Sequence, residues 1–83
     1  MVETLQETVE LMNSSDYKER FKAEYYQLEY RLEKLKKMLK DWDEKKLQFK
    51  PTCPKSWYVV QSNAMSKYLE VLKRRAERES VEL

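Results

Sequence analysis

Between Asp16 and Trp42 the residues Tyr17, Phe21, Tyr25, Leu28, Leu32, Leu35, Leu39 and Trp42 follow one another at intervals of 4, 4, 3, 4, 3, 4 and 3. Alternation of 3 and 4 places one apolar stripe on one side of an α-helix and asks for a partner helix to pack against it. The pattern predicts a long helix running without Pro or Gly to about Lys45. A second periodic segment, about Pro54 to Glu79, sets Tyr58, Gln61, Met65, Tyr68, Leu72 and Arg75 at intervals of 3, 4, 3, 4 and 3. Its seam contains polar residues, and Trp57, Val60, Ala64, Leu69, Val71 and Ala76 widen the apolar face beyond what a two-helix seam needs. Such width predicts contacts between copies. Near the start, Val2, Leu5, Val9 and Met12 fit a short amphipathic helix over residues 2–12.

The breaks between these segments set the organisation. Asn13, Ser14, Ser15 and Asp16 all compete for local backbone hydrogen bonds, and Asp16 followed by Glu19 has capping-box spacing with Asp16 as N-cap. From Leu47 to Pro54 the period fails, and Pro51 and Pro54 exclude a continuous helix. Phe49 is expected to fold back as the anchor of this loop. Pro54 suits the first position of the second helix, with Cys53 or Thr52 as its cap, and Ser80 to Leu83 is expected to fray. The resulting fold class is all-α: a short N-terminal helix, then a long antiparallel helical hairpin, oligomerised through helix packing. Residues 1–15 form a short N-terminal helix or extension and residues 16–83 the hairpin domain. Met12 is an alternative translation start, which would make the preceding residues dispensable.

Composition narrows the class of function. At 83 residues a two-helix arrangement has little core, so assembly between copies is expected. A lone cysteine, Cys53, allows no internal disulfide, no histidine is present, and no thiol cluster suggests zinc, so neither a metal nor a cofactor is expected. No apolar run approaches the roughly 20 residues of a membrane span, and Met1 to Leu11 is too acidic for a signal peptide, so the chain reads as soluble and cytoplasmic. Glycine is absent and charged residues make up 39% of the chain, which suits exposed helices and excludes glycine-rich phosphate loops. The net charge is only +2, but Lys/Arg against Asp/Glu runs three to seven over residues 1–30 and eight to four over residues 31–50. That balance disfavours duplex nucleic acid and leaves room for a small anion.

Catalysis lacks its usual parts, because there is no imidazole to serve a nucleophile and no glycine for an oxyanion loop. Asp41 and Asp43 fall on different helical faces and read as solvated charges. The six tyrosines carry more information. Each offers a flat apolar face with a polar tip, suited to packing at an interface or to stacking on a nucleobase. Candidate cations beside them are Arg31 and Lys34 on the first long helix and Arg74, Arg75 and Arg78 at the end of the second. A solvated coiled-coil flank is the plainer explanation of these charges.

Tyr17-Lys18-Glu19-Arg20, Leu28, Leu32-Glu33-Lys34-Leu35, the loop with Phe49, then Gln61, Ala64-Met65, Tyr68-Leu69, Val71-Leu72 and Arg75 together resemble a family of small phage proteins. These are the anti-CBASS sponges, which sequester the cyclic oligonucleotide signals of bacterial anti-phage defence. The resemblance spans about Asp16 to Ala76. It implies dimers assembled into a hexamer, with pockets at subunit interfaces that bind cyclic dinucleotides or trinucleotides without hydrolysis, in the host bacterial cytoplasm. Tyr17 matches the family's pocket tyrosine, Arg31 and Lys34 both fall near its pocket lysine, and Arg75 matches an arginine expected at the trinucleotide pocket. The N-terminal extension and the proline-bearing loop depart from the family pattern. The competing reading from the residues is a helical protein-interaction module, a phage inhibitor or assembly factor acting through its coiled-coil-like face.

Overall fold

A computed structural model describes residues 4–83. The expected contribution of Val2 to the first helix lies outside those residues. The described chain is all-helical. A 3-10 turn, Leu5–Thr8, leads into a single α-turn, α1 (Val9–Met12), and then come two long helices, α2 (Tyr17–Asp43) and α3 (Lys55–Arg78). The continuous N-terminal helix expected from periodicity is thus split. A segment this short cannot repay helix nucleation, and the tighter turn lets Thr8 reach inward. Thr8 is fully buried: its hydroxyl donates to the Leu5 carbonyl at 2.6 Å and accepts from the Gln27 amide at 2.9 Å, which pins this segment to α2.

Asp16 caps α2 as its side chain accepts from the Lys18 backbone N–H at 2.9 Å. The reciprocal half of the expected capping box is replaced by a relay. Ser14 Oγ accepts from the Asp16 backbone N–H at 3.0 Å and donates to Glu19 at 2.9 Å, so Glu19 supports the cap through Ser14. At the other end α2 closes on Lys45, which takes φ 58°, with the Lys46 and Lys45 N–H groups bonding to the Asp41 and Trp42 carbonyls at 2.7 and 3.1 Å. This is a Schellman closure, and a lysine occupies the left-handed position because the chain has no glycine.

The loop does not close on Phe49, whose side chain is 57% exposed. Instead the rings of Trp42 and Tyr58 meet at 5.9 Å across the hairpin, and Lys55 pairs with Asp43 beside them. Pro54 also sits one step earlier than expected. It is the N-cap residue, with extended ψ 145°, and helical geometry begins at Lys55.

The buried face of α3 is displaced from the expected seam. Ser62, Leu72 and Ala76 are buried, and Tyr58, Met65 and Leu69 are half-buried, whereas Gln61, Tyr68 and Arg75 stand exposed on the flank. Shifting the stripe by one position at three places exchanges polar and bulky residues for small or aliphatic ones, which lets α3 approach α2 closely. Phe21, Tyr25 and Leu28 of α2 pack against Leu72 and Ala76, with Tyr26, Met65 and Leu69 around them. The core therefore lies toward the open end of the hairpin, away from the loop. Burying each large side chain of this group favours folding by about 1.5–3 kcal/mol relative to leaving it in water.

The last residues do not fray. Ser80 takes φ 57° and Val81 N–H bonds to the Ala76 carbonyl at 2.8 Å, a second Schellman closure. Val81 is only 7% exposed and joins the core against Ala76, the hydrophobic contact that accompanies this motif.

Candidate anion and aromatic site at the open end of the hairpin

Antiparallel pairing brings the first turn of α2 beside the last turn of α3. Tyr17 and Phe21 stand one helical turn apart on α2; Arg75 and Glu79 stand one turn apart across from them. The Tyr17 hydroxyl donates to Glu79 Oε1 at 2.7 Å and accepts from Arg75 Nη2 at 2.9 Å, while Arg75 Nε donates to Glu79 Oε2 at 3.1 Å. The three side chains close a ring of hydrogen bonds. The guanidinium carbon lies 5.0 Å from the centroid of the Phe21 ring, so one face of Arg75 rests on an aromatic that is itself part of the core. Tyr17 meets Phe21 edge-on at 6.2 Å.

The ring couples the protonation of its members. Glu79 is held below the ordinary carboxylate value by the hydrogen bonds it accepts from Tyr17 and Arg75. Those same bonds to Glu79 push Tyr17 and Arg75 upward from their ordinary values. At neutral pH the arrangement is an anion held by a cation and a hydroxyl. All of it is reachable: Tyr17 is 48% and the Arg75 side chain 45% exposed.

Further along the same flank Tyr68 donates to Glu24, and this bond raises the tyrosine's pKa. Arg31 continues the line on α2, seven residues beyond Glu24 and exposed, which sets it roughly 21 Å along the helix from Tyr17. Lys34 projects elsewhere, with its ammonium 5.5 Å from the Tyr30 ring. Within one chain, then, Tyr17 and Arg75 meet, while Arg31 and Lys34 stand apart from them, one turn from each other further along α2. Lys18 bridges to the Ser80 carbonyl at 3.2 Å, beside an open groove of about 530 Å³ lined by both signs of charge, including Lys22, Glu19 and Glu77.

Glu79 and Phe21 were not among the residues expected at the site. Glu79 was legible as the carboxylate four positions after Arg75, a spacing that places the two on one helical face. Phe21 lies on the apolar seam, and its ring serves both core and guanidinium.

Chemically this corner offers a guanidinium, a phenol and an aromatic floor, which suits a ligand combining anionic oxygens with a planar ring. No group of three or more metal-ligating side chains occurs among the described residues. No helix among them is long and apolar enough to cross a membrane. Among curated proteins and among solved structures no match was found. A family model described as Sequestin matches residues 15–78, from the residue before the Asp16 cap to the last residue of α3. Its name denotes sequestration, in accord with the resemblance to the anti-CBASS sponges, and the match spans the whole hairpin: this chain belongs to the Sequestin family.

Proposed function

We propose that the protein is a sponge, binding cyclic dinucleotides or trinucleotides and withholding them, uncleaved, from the host effector they activate. The observation that carries this reading is the Tyr17–Arg75–Glu79 ring over Phe21, in which a cation and a hydroxyl together hold an anionic oxygen pair beside aromatic faces. Two phosphate oxygens can accept from the Arg75 Nε–H and the Tyr17 hydroxyl as the two Glu79 oxygens do, and a base can lie on the exposed tyrosine. Stacking of that kind favours binding by roughly 1–3 kcal/mol per base. Retention requires no catalytic group, and neither cofactor nor metal enters the scheme.

Arg31 and Lys34 join this site from neighbouring copies. Each is exposed and remote from Tyr17 in its own chain, so a ligand touching all of them lies between subunits. The assembly is a homo-oligomer, a hexamer by resemblance, acting in the bacterial cytoplasm where the signals are made. Tyr17 serves the dinucleotide and Arg75 the trinucleotide.

The test is a thermal-shift screen over cyclic di- and trinucleotides, followed by chromatography of the ligand released on heating. Saturation at 100 times the dissociation constant stabilises the native protein by about 2.7 kcal/mol, and the ligand returns intact. A linear product would make the protein an enzyme. The absence of any shift would favour the second reading, a protein-interaction module, for which the exposed Trp57, Val60 and Val71 speak.

A further inference from the structure

The closed end of the hairpin is a cationic tip that the site at the open end does not use. From Lys36 to Lys55 the chain carries seven lysines against three acids, and no arginine. Each acid already holds one lysine: Asp41 pairs with Lys37 at 3.2 Å, Glu44 with Lys46 at 3.0 Å, and Asp43 with Lys55. Lys36, Lys40, Lys45 and Lys50 are exposed and have no acidic partner among the described residues. Four positive charges at this end are therefore uncompensated.

An apolar ridge runs between the lysines of the loop. Leu47 and Phe49 border two recesses at once. One, of about 330 Å³, is bounded by Lys37, Asp41 and Lys46; the other, of about 440 Å³, is bounded by Trp42, Lys45, Lys50 and Pro51. Cations thus stand on both sides of a phenyl ring that is 57% exposed. The hairpin closes through Trp42 and Tyr58, so the fold itself draws no stability from leaving Phe49 at the tip.

We infer that this tip docks on the surface of an anionic lipid bilayer, with Phe49 entering the headgroup layer and the unpaired lysines facing lipid phosphates. The shape suits a plane. The molecule extends 43 Å along its longest axis, and an apolar wedge at one end of it can meet a surface while the helices stand clear. The cation type agrees, since a site that reads one anion in a fixed pose uses the planar fork of arginine, whereas lysines act as point charges on flexible stems toward a diffuse negative field. Their stems also reach back to the polar layer when the ring beside them sinks. Surface contact of this kind needs no spanning segment, and no described helix is long and apolar enough to be one.

Other occupants match the tip less well. A single strand of nucleic acid wants several stacking faces in a row, and here Trp42 is turned onto Tyr58, which leaves Phe49 as the one exposed ring of the loop. An extended peptide wants a continuous groove, and the Leu47–Phe49 ridge divides the two recesses. The Tyr17–Arg75–Glu79 ring lies about 40 Å away, at the far end of α2, so a docked molecule holds that site clear of the surface. The inference does not depend on the sponge reading.

The test is flotation of the full chain with vesicles of phosphatidylcholine alone or with about 30% phosphatidylglycerol. The protein should float with the mixed vesicles only, and salt at about 0.5 M should release it. Lys45→Asn, chosen because asparagine tolerates the left-handed backbone at this position, and Lys50→Gln should each lower the partition coefficient about fivefold with helicity unchanged. Lys50→Arg should keep it. Phe49→Trp should add an emission that shifts to the blue on the mixed vesicles, as a ring leaving water does, and Phe49→Ser should weaken flotation. Failure to float with the mixed vesicles, equal flotation with both kinds, or full retention by the Lys45→Asn, Lys50→Gln double variant would overturn the inference. So would binding of a single-stranded RNA that the double variant loses while no vesicle floats the wild type, which would give the tip to nucleic acid instead.

Discussion

Among the described residues two occupy the left-handed region of backbone space, and neither is glycine: Lys45 at φ 58° and Ser80 at φ 57°. Each stands two positions beyond the last residue of a long helix and closes it by donating its own N–H, and that of the next residue, to the carbonyls of the final turn. A side chain at this position crowds its own carbonyl, which costs roughly 1–2 kcal/mol. Glycine removes the crowding but has more freedom to lose on folding, an offset of roughly 0.4–1 kcal/mol. The difference predicts that Lys45→Gly and Ser80→Gly each stabilise the protein by about 0.5–1 kcal/mol. The sites lie at opposite ends of the hairpin, on the order of 40 Å apart, so the gains should add. For a chain of this size 1 kcal/mol raises the melting temperature by about 4–8 °C. Thermal denaturation followed by circular dichroism, at one fixed protein concentration because association shifts the midpoint, is the assay. Ser80→Val should move the midpoint downward, since a β-branched residue tolerates this conformation least. Glycine variants that melt at or below the wild type would refute the strain argument at both helix ends.

In the core, Leu72→Ala removes a large apolar side chain with no exposure and should cost about 2–5 kcal/mol in chemical denaturation; Val71→Ala, at an exposed position of α3, should cost far less. Val81→Ser should destabilise the wild type and increase hydrogen exchange at the C-terminal turn of α3, because the buried contact to Ala76 is lost. Glu79 has its carboxylate held below the ordinary value of 4.5, so its contribution to stability is full above that pH and is lost as pH falls through the lowered value. Glu79→Gln should therefore flatten the acid limb of a melting-temperature profile below about pH 4.5. Tyr17 has its pKa raised above 10.0, so the bond to Glu79 stabilises below that pH and fades as pH rises through the shifted value; Tyr17→Phe should abolish that alkaline loss.

The helices were legible because their period is a property of sequence alone. The stripe from Phe21 to Leu32 is buried where the spacing placed it. In α3 two stripes satisfied the same spacing, and the sequence held no statement of which faced α2. Gln61, Tyr68 and Arg75 looked eligible through their long apolar stems, but Ser62 and Ala76 admit a closer helix approach. The loop anchor differs for a related reason: Phe49 is apolar yet exposed, because Trp42 and Tyr58 already close the hairpin. Burial of Val81 depended on the geometry of a helix end, which composition does not encode. Tyr17 and Arg75 are 58 positions apart, and only the antiparallel topology joins them. The sequence contained Glu79 in plain view, but its role as their shared partner needed the distance across the hairpin.

That shared partner gives the site a threshold. With Glu79 bound to it, Arg75 is an occupied cation carrying its own tethered counterion. A lone phosphate that displaces the carboxylate trades one ion pair for another and gains almost nothing, and added salt weakens both competitors together. Only a ligand that brings further contacts at the same time, a second phosphate or a stacked base, makes the exchange favourable. On the sponge reading proposed above, a bare phosphate would be turned away by the same carboxylate that a ligand bringing several phosphates and bases at once would evict, and the affinity for such a ligand should change less steeply with ionic strength than its number of phosphates suggests.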